Sequence, residues 1–170
     1  MWIPVLLALA VAATNATGLK VGDSAPGFAA PAASGKTIKL SDFKGQWVVL
    51  YFYPKAGTPK CTQEACSLRD GYAETQKAGA VIVGVSLDDL DVLQKFQQTE
   101  SLPFELLSDS KKQVSRAYGV LGLGGLFAQR RTFLIDPQGR IAYIFEEVNP
   151  AGHSRQVLDV LARLQAQPAP

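Results

Sequence analysis

The chain has 170 residues, 47% apolar and 19% charged, the size and composition of one folded domain, which argues against disordered, collagen-like and coiled-coil classes. Seventeen Lys and Arg against fifteen Asp and Glu leave a net charge of +2, and no basic run exceeds two residues, so the electrostatic footprint of a nucleic-acid partner is missing. Two cysteines and one histidine are too few for a disulfide scaffold or for a four-ligand zinc site of their own.

The first elements are unlike the rest. Residues 3–13 are almost purely apolar and no charged side chain precedes Lys20. That is the length of a signal-peptide core; a membrane span needs about 20 apolar residues. Val11-Ala12-Ala13 and Thr14-Asn15-Ala16 both offer small-residue cleavage patterns. The expectation is a signal peptide over residues 1–17 and one domain over 18–170, periplasmic or secreted and free of the membrane after cleavage. An uncleaved anchor or a buried N-terminal helix are the alternatives. Export would place the thiols where a disulfide can persist.

Residues 20–44 are rich in Pro, Gly, Ala and Ser, and the alternating stretch 36–40 after the Ser34-Gly35 turn predicts a small strand of an N-terminal hairpin. Residues 47–53 are apolar on both faces until Pro54, as a central strand is, and residues 80–87 repeat the pattern. Between them one helix is predicted over residues 62–78, stopped by Gly79, which makes the two strands a parallel pair with a right-handed crossover. A second helix follows from Asp89 with Leu93 and Phe96 on one face, then a short strand over 104–107. Residues 132–135 and 140–145 flank the turn Asp136-Pro137-Gln138-Gly139 and predict a β-hairpin. A last helix, 154–165, carries Val157, Leu161 and Leu164 at helical spacing. The whole predicts an α/β fold of thioredoxin-like class: a mixed central sheet, helices on both faces and an N-terminal β-hairpin. Gly119-Val120-Leu121-Gly122-Leu123-Gly124-Gly125 lacks both the Gly-x-Gly-x-x-Gly spacing and a following Lys-Ser/Thr, so it is a loop and not a phosphate cradle.

Residues 53–66 join a buried strand to a helix and bring Cys61 to that helix's first turn, at the carboxyl edge of the sheet. Unpaired backbone N–H groups and the positive end of the macrodipole favour a thiolate there. Pro54, Thr58 and Cys61 reproduce the Pro-x-x-x-Thr-x-x-Cys motif, and the segment resembles the active site of the peroxiredoxins; a cysteine five residues later, Cys66, resembles the peroxiredoxin Q or bacterioferritin comigratory protein subfamily. The opening Val21-Gly22-Asp23-Ser24-Ala25-Pro26-Gly27-Phe28, the lead-in Leu40-Ser41-Asp42-Phe43-Lys44-Gly45 and the late Arg130-Arg131-Thr132-Phe133-Leu134-Ile135-Asp136 are similar as well.

The resemblance implies a thiol peroxidase acting on hydrogen peroxide and organic hydroperoxides. Cys61 would be the peroxidatic cysteine, oxidised to a sulfenic acid. Thr58 Oγ and the Cys61 N–H would hold the peroxide, Pro54 would keep water off the sulfur, and Arg130 would pair with it. Arg130 is preferred to Arg131 because it lies three residues before Phe133, and neighbours on a strand face opposite ways. Glu64 would orient an arginine or serve only as a first-turn helix charge. Cys66 would be the resolving cysteine, giving a Cys61–Cys66 disulfide that thioredoxin or a similar dithiol donor reduces. No cofactor or metal is implied, and a monomer is expected.

Five residues along an ideal helix put the two Cα atoms about 8.6 Å apart, beyond the roughly 6.8 Å that a disulfide tolerates. Cys61 shares an inward stripe with Ala65, Leu68 and Tyr72, and Cys66 an outer one with Arg69, Asp70 and Ala73, so oxidation must unwind about residues 58–68. A thiol–disulfide oxidoreductase would want Cys-x-x-Cys, and a copper metallochaperone Cys-x-x-x-Cys plus a placed His. His153, the only histidine, is expected at the start of the last helix as a capping or solvent-facing residue. Trp47, Tyr51, Phe52 and Tyr53 are core positions.

Overall fold

A computed structural model describes residues 18–167. The expected leader at residues 1–17 lies outside the described residues. Strands β1 (Ala29–Pro31) and β2 (Thr37–Lys39) pair antiparallel as the N-terminal hairpin. The main sheet comprises β3 (Trp47–Phe52), β4 (Ala80–Ser86), β5 (Glu105–Ser108), β6 (Arg131–Ile135) and β7 (Ile141–Phe145) in the spatial order β5-β4-β3-β6-β7. β3 and β4 run parallel, as do β4 and β5, while β6 lies antiparallel to both β3 and β7. The mixed sheet expected from the sequence is the one formed.

Alternation along β3 divides the core. Val49, Tyr51 and Tyr53 point to one face, where they meet Ala65 and Leu68 of α1 (Pro59–Asp70), Leu93 and Phe96 of α3 (Leu90–Thr99) and Val157 and Leu161 of α5 (His153–Ala166). Val48, Leu50 and Phe52 point to the other, against Ala30 and Ile38 of the hairpin, Val114 of α4 (Gln113–Ala117) and Tyr118. Each fully buried side chain of this kind contributes roughly 1.5–3 kcal/mol over an exposed one, so β3, covered on both faces, is the firmest platform in the molecule.

The single helix expected over residues 62–78 is two. α1 starts three residues earlier, with Pro59 at its first position, where its fixed φ and missing N–H cost nothing. It ends at Asp70, and α2 (Tyr72–Lys77) resumes after Gly71. The break is set from outside: a Cβ on Gly71 would lie 1.7 Å from Ser154 Oγ and 2.9 Å from Ser154 Cβ, so α5 enters where only glycine leaves room. Ser154 N–H also donates to Ser67 Oγ at 3.0 Å, tying the start of α5 to α1. α4 had no counterpart in the sequence reading; the Asp109 carboxylate caps it, accepting from Val114 N at 3.1 Å and Ser115 N at 2.7 Å. The glycine-rich stretch is a loop with a short 3-10 turn at Leu123–Gly125.

Candidate active site

β3 ends at the carboxyl edge of the sheet, and the chain turns through Pro54 and Gly57 into α1. Gly57 has φ +81°, a conformation that side chains with a Cβ rarely take. The loop is held from the neighbouring strand: Ala56 N–H donates to Asp88 Oδ2 at 2.8 Å, and the same oxygen accepts Ser86 Oγ at 2.8 Å. Asp88 did not stand out in the sequence. The signal available was a carboxylate just past the carboxyl end of a strand that pairs in parallel with β3.

Thr58 is the N-cap of α1, yet its hydroxyl caps nothing. Its Oγ1 donates instead to the Lys55 carbonyl at 2.8 Å, which commits the proton and leaves the oxygen as an acceptor. The first bond inside the helix runs from Thr62 N to Thr58 O at 2.9 Å. The N–H groups of Lys60 and Cys61 precede it and have no partner within the helix. Cys61 is third in α1 and 1% exposed, on the inward stripe with Ala65 and Leu68. Pro54 is half-buried at the strand end.

Arg130 reaches this sulfur from the opposite direction. β6 runs antiparallel to β3, with Arg131 paired to Phe52, so the residue before β6 lies beside the end of β3. Thr132 and Leu134 face the α1 side and Phe133 and Ile135 the other; Arg130 has the parity of the first pair and Arg131 that of the second. Arg130 Nη2 donates to Cys61 Sγ at 3.3 Å, and Nη1 donates to Glu64 Oε2 in a close ion pair. Glu64 is therefore more than a first-turn surface charge: it is fully buried, and its Oε1 finds no hydrogen-bond partner among the described residues. Burial lifts its carboxyl to about 7, against the opposing pull of the Arg130 guanidinium.

Cys66 lies on the outer side of the same unbroken helix, half-buried, and both thiols are free. His153 is wholly buried, not solvent-facing as expected. Its Nδ1 donates to Gln156 Oε1 at 2.9 Å, so Nε2 accepts from Thr132 Oγ1 at 2.8 Å. Burial lowers it to about 4, with the Arg130 charge adding to the effect. With both ring nitrogens engaged, His153 offers no free ligand position for a metal at Cys61.

The AhpC/TSA family pattern matches residues 21–144. Peroxiredoxin Bcp of Escherichia coli (strain K12) is 42% identical over 149 residues, which cover 84% of this chain and 96% of that protein. Chloroplastic peroxiredoxin Q of Oryza sativa subsp. japonica is 39% identical over 145 residues, covering 84% of this chain and 67% of that one. Among solved structures, peroxidoxin BcpB from Mycobacterium tuberculosis superposes with a TM-score of 0.79 at 34% identity, over 85% of this chain and 97% of that chain. A Xanthomonas campestris peroxiredoxin Q gives 0.76 at 34% identity, over 80% and 90%. The buried cysteine at a helix start, met by an arginine from the adjacent strand, thus sits in a chain that belongs to the AhpC/TSA family, as a thiol-dependent peroxidase of the Bcp and Q peroxiredoxin kind.

Proposed function

We propose that Cys61 is the residue that attacks peroxide and Cys66 the one that resolves it. The Cys61 thiolate attacks the near oxygen of a hydroperoxide; the S–O bond forms as the O–O bond breaks, and the leaving oxygen takes up a proton as water or alcohol. The observation that carries this is Arg130 Nη2 at 3.3 Å from a buried sulfur in a helix first turn. A guanidinium and the free N–H groups of Lys60 and Cys61 supply positive potential for the sulfur and for charge moving onto the leaving oxygen. Thr58 Oγ1, its own proton committed to Lys55, accepts the peroxide O–H. A groove of about 430 Å³ beside the loop, lined among others by Ala56, Gly57, Val92 and Phe96, favours organic hydroperoxides as well as hydrogen peroxide.

Cys66 then attacks the sulfenic sulfur, the S–S bond forms, and water is released. A thioredoxin-like or other dithiol donor returns both thiols. Because both cysteines stand on one intact helix, about 8.6 Å apart by helix geometry, resolution requires the first turns of α1 to unwind.

The test is to add one equivalent of hydrogen peroxide to the reduced protein and to follow mass. Wild type should lose two hydrogens, Cys61→Ser should show no fast reaction, and Cys66→Ser should accumulate sulfenic or over-oxidised Cys61. Rapid peroxide consumption by Cys61→Ser would overturn the assignment.

A further inference from the structure

Two side chains one turn apart on α1 end on one residue of α3. Cys66 Sγ donates to Glu100 Oε2 at 3.4 Å, and Arg69 Nη1 donates to the Glu100 carbonyl at 2.7 Å. Glu100 is the C-cap of α3, so its carbonyl belongs to the helix end that lacks an intrahelical donor. Among the described residues these are the hydrogen bonds that join α1 to α3. The main packing of α1 is elsewhere, on α5 and the turn Pro150–Gly152 that precedes it.

Building on the assignment of Cys66 as resolving cysteine, we infer that Glu100 is a latch: it holds the Cys66 side chain docked on α3 and away from Cys61 until α1 unwinds. Burial, and then the bond to Glu100, push the Cys66 thiol up, while Arg69 pulls it down. The charged groups facing it are Glu100 from α3 and Arg69 and Asp70 from its own helix. The docked sulfur is therefore a neutral thiol, a poor nucleophile, and release from Glu100 both frees and activates it.

A role for Glu100 as the base that removes the thiol proton is weaker. An ordinary carboxyl and an ordinary thiol differ by about four pKa units, which disfavours complete proton transfer about ten-thousand-fold. In the latch, Glu100 makes and breaks no covalent bond. The S–S bond forms, the S–O bond of the sulfenic acid breaks, and the departing hydroxide leaves as water with the proton given up by Cys66.

The experiment compares wild type, Glu100→Gln and Glu100→Ala after one equivalent of hydrogen peroxide, quenched with a sulfenic-acid trap and read by mass. Glu100→Gln keeps an acceptor and loses the charge, so its resolution should run about three- to tenfold faster relative to oxidation. Glu100→Ala should be at least as fast. A second readout uses the Cys61→Ser background: the pH midpoint for alkylation of Cys66 should fall when Glu100→Gln is added, which a packing role alone would not cause. Unchanged or slower resolution in both variants, or an unmoved midpoint, overturns the latch while the disulfide chemistry stands. A wild type that forms no Cys61–Cys66 disulfide removes that chemistry and the latch together.

Discussion

The Glu64 carboxylate is wholly buried against the Arg130 guanidinium, one oxygen paired and the other without a partner among the described residues. The pair fixes where Arg130 points: with Nη1 held by Glu64, Nη2 is directed at Cys61. The arrangement is bought at a desolvation cost, visible in a carboxyl lifted to about 7. Glu64 lies within the part of α1 that must unwind, so opening the helix returns it to water and relieves that cost.

Removing the donor should be felt in the peroxide step. Arg130→Met is expected to slow Cys61 oxidation by about 10²–10³-fold, the usual loss for one donor to developing charge. Arg131→Met, on the opposite face of β6, should change it by less than about threefold. Stopped-flow oxidation rates for the two variants check the assignment; equal losses would contradict it.

Glu64 and His153 should give stability opposite slopes with pH. Glu64 rises from an ordinary 4.5 to about 7, so between those values the folded chain holds a proton that the unfolded chain has lost, and stability falls as pH rises. His153 drops from an ordinary 6.5 to about 4, so there the unfolded chain holds the extra proton, and stability is lost as pH falls. Each shift is worth at most about 3 kcal/mol, and the two largely offset between about pH 4.5 and 6.5. Urea denaturation across that window should show stability rising with pH in Glu64→Gln and falling with pH in His153→Gln. Parallel slopes in both variants would refute this.

Gly71→Ala should destabilise the fold by about 1–3 kcal/mol, because its new methyl group meets Ser154 at the start of α5. Adding Ser154→Gly should recover much of the loss, as read by denaturant midpoints. A Gly71→Ala protein of full stability would show that the break between α1 and α2 has another cause.

What the sequence disclosed and what it hid follow one division. β3 and β4 were legible because burial on both faces writes unbroken apolar runs such as Trp47–Phe52. Cys61 at a helix start was legible because strand, turn and helix signals are local. Arg130 could be preferred to Arg131 only through resemblance, since strand parity makes the two equivalent until the facing helix is known. The division of α1 from α2 was hidden because it depends on Ser154, 83 positions along the chain from Gly71. Asp88, Glu100 and the buried His153 are likewise defined by partners on other elements, and no spacing marks them.

Amide hydrogen exchange of α1 in the two redox states puts the coupling of chemistry to unwinding to its most direct test. Reduced protein should protect the amides of Pro59–Asp70 as a continuous helix, and the Cys61–Cys66 disulfide form should lose that protection over about residues 59–68. A disulfide form whose α1 amides remain as protected as in the reduced protein would contradict it.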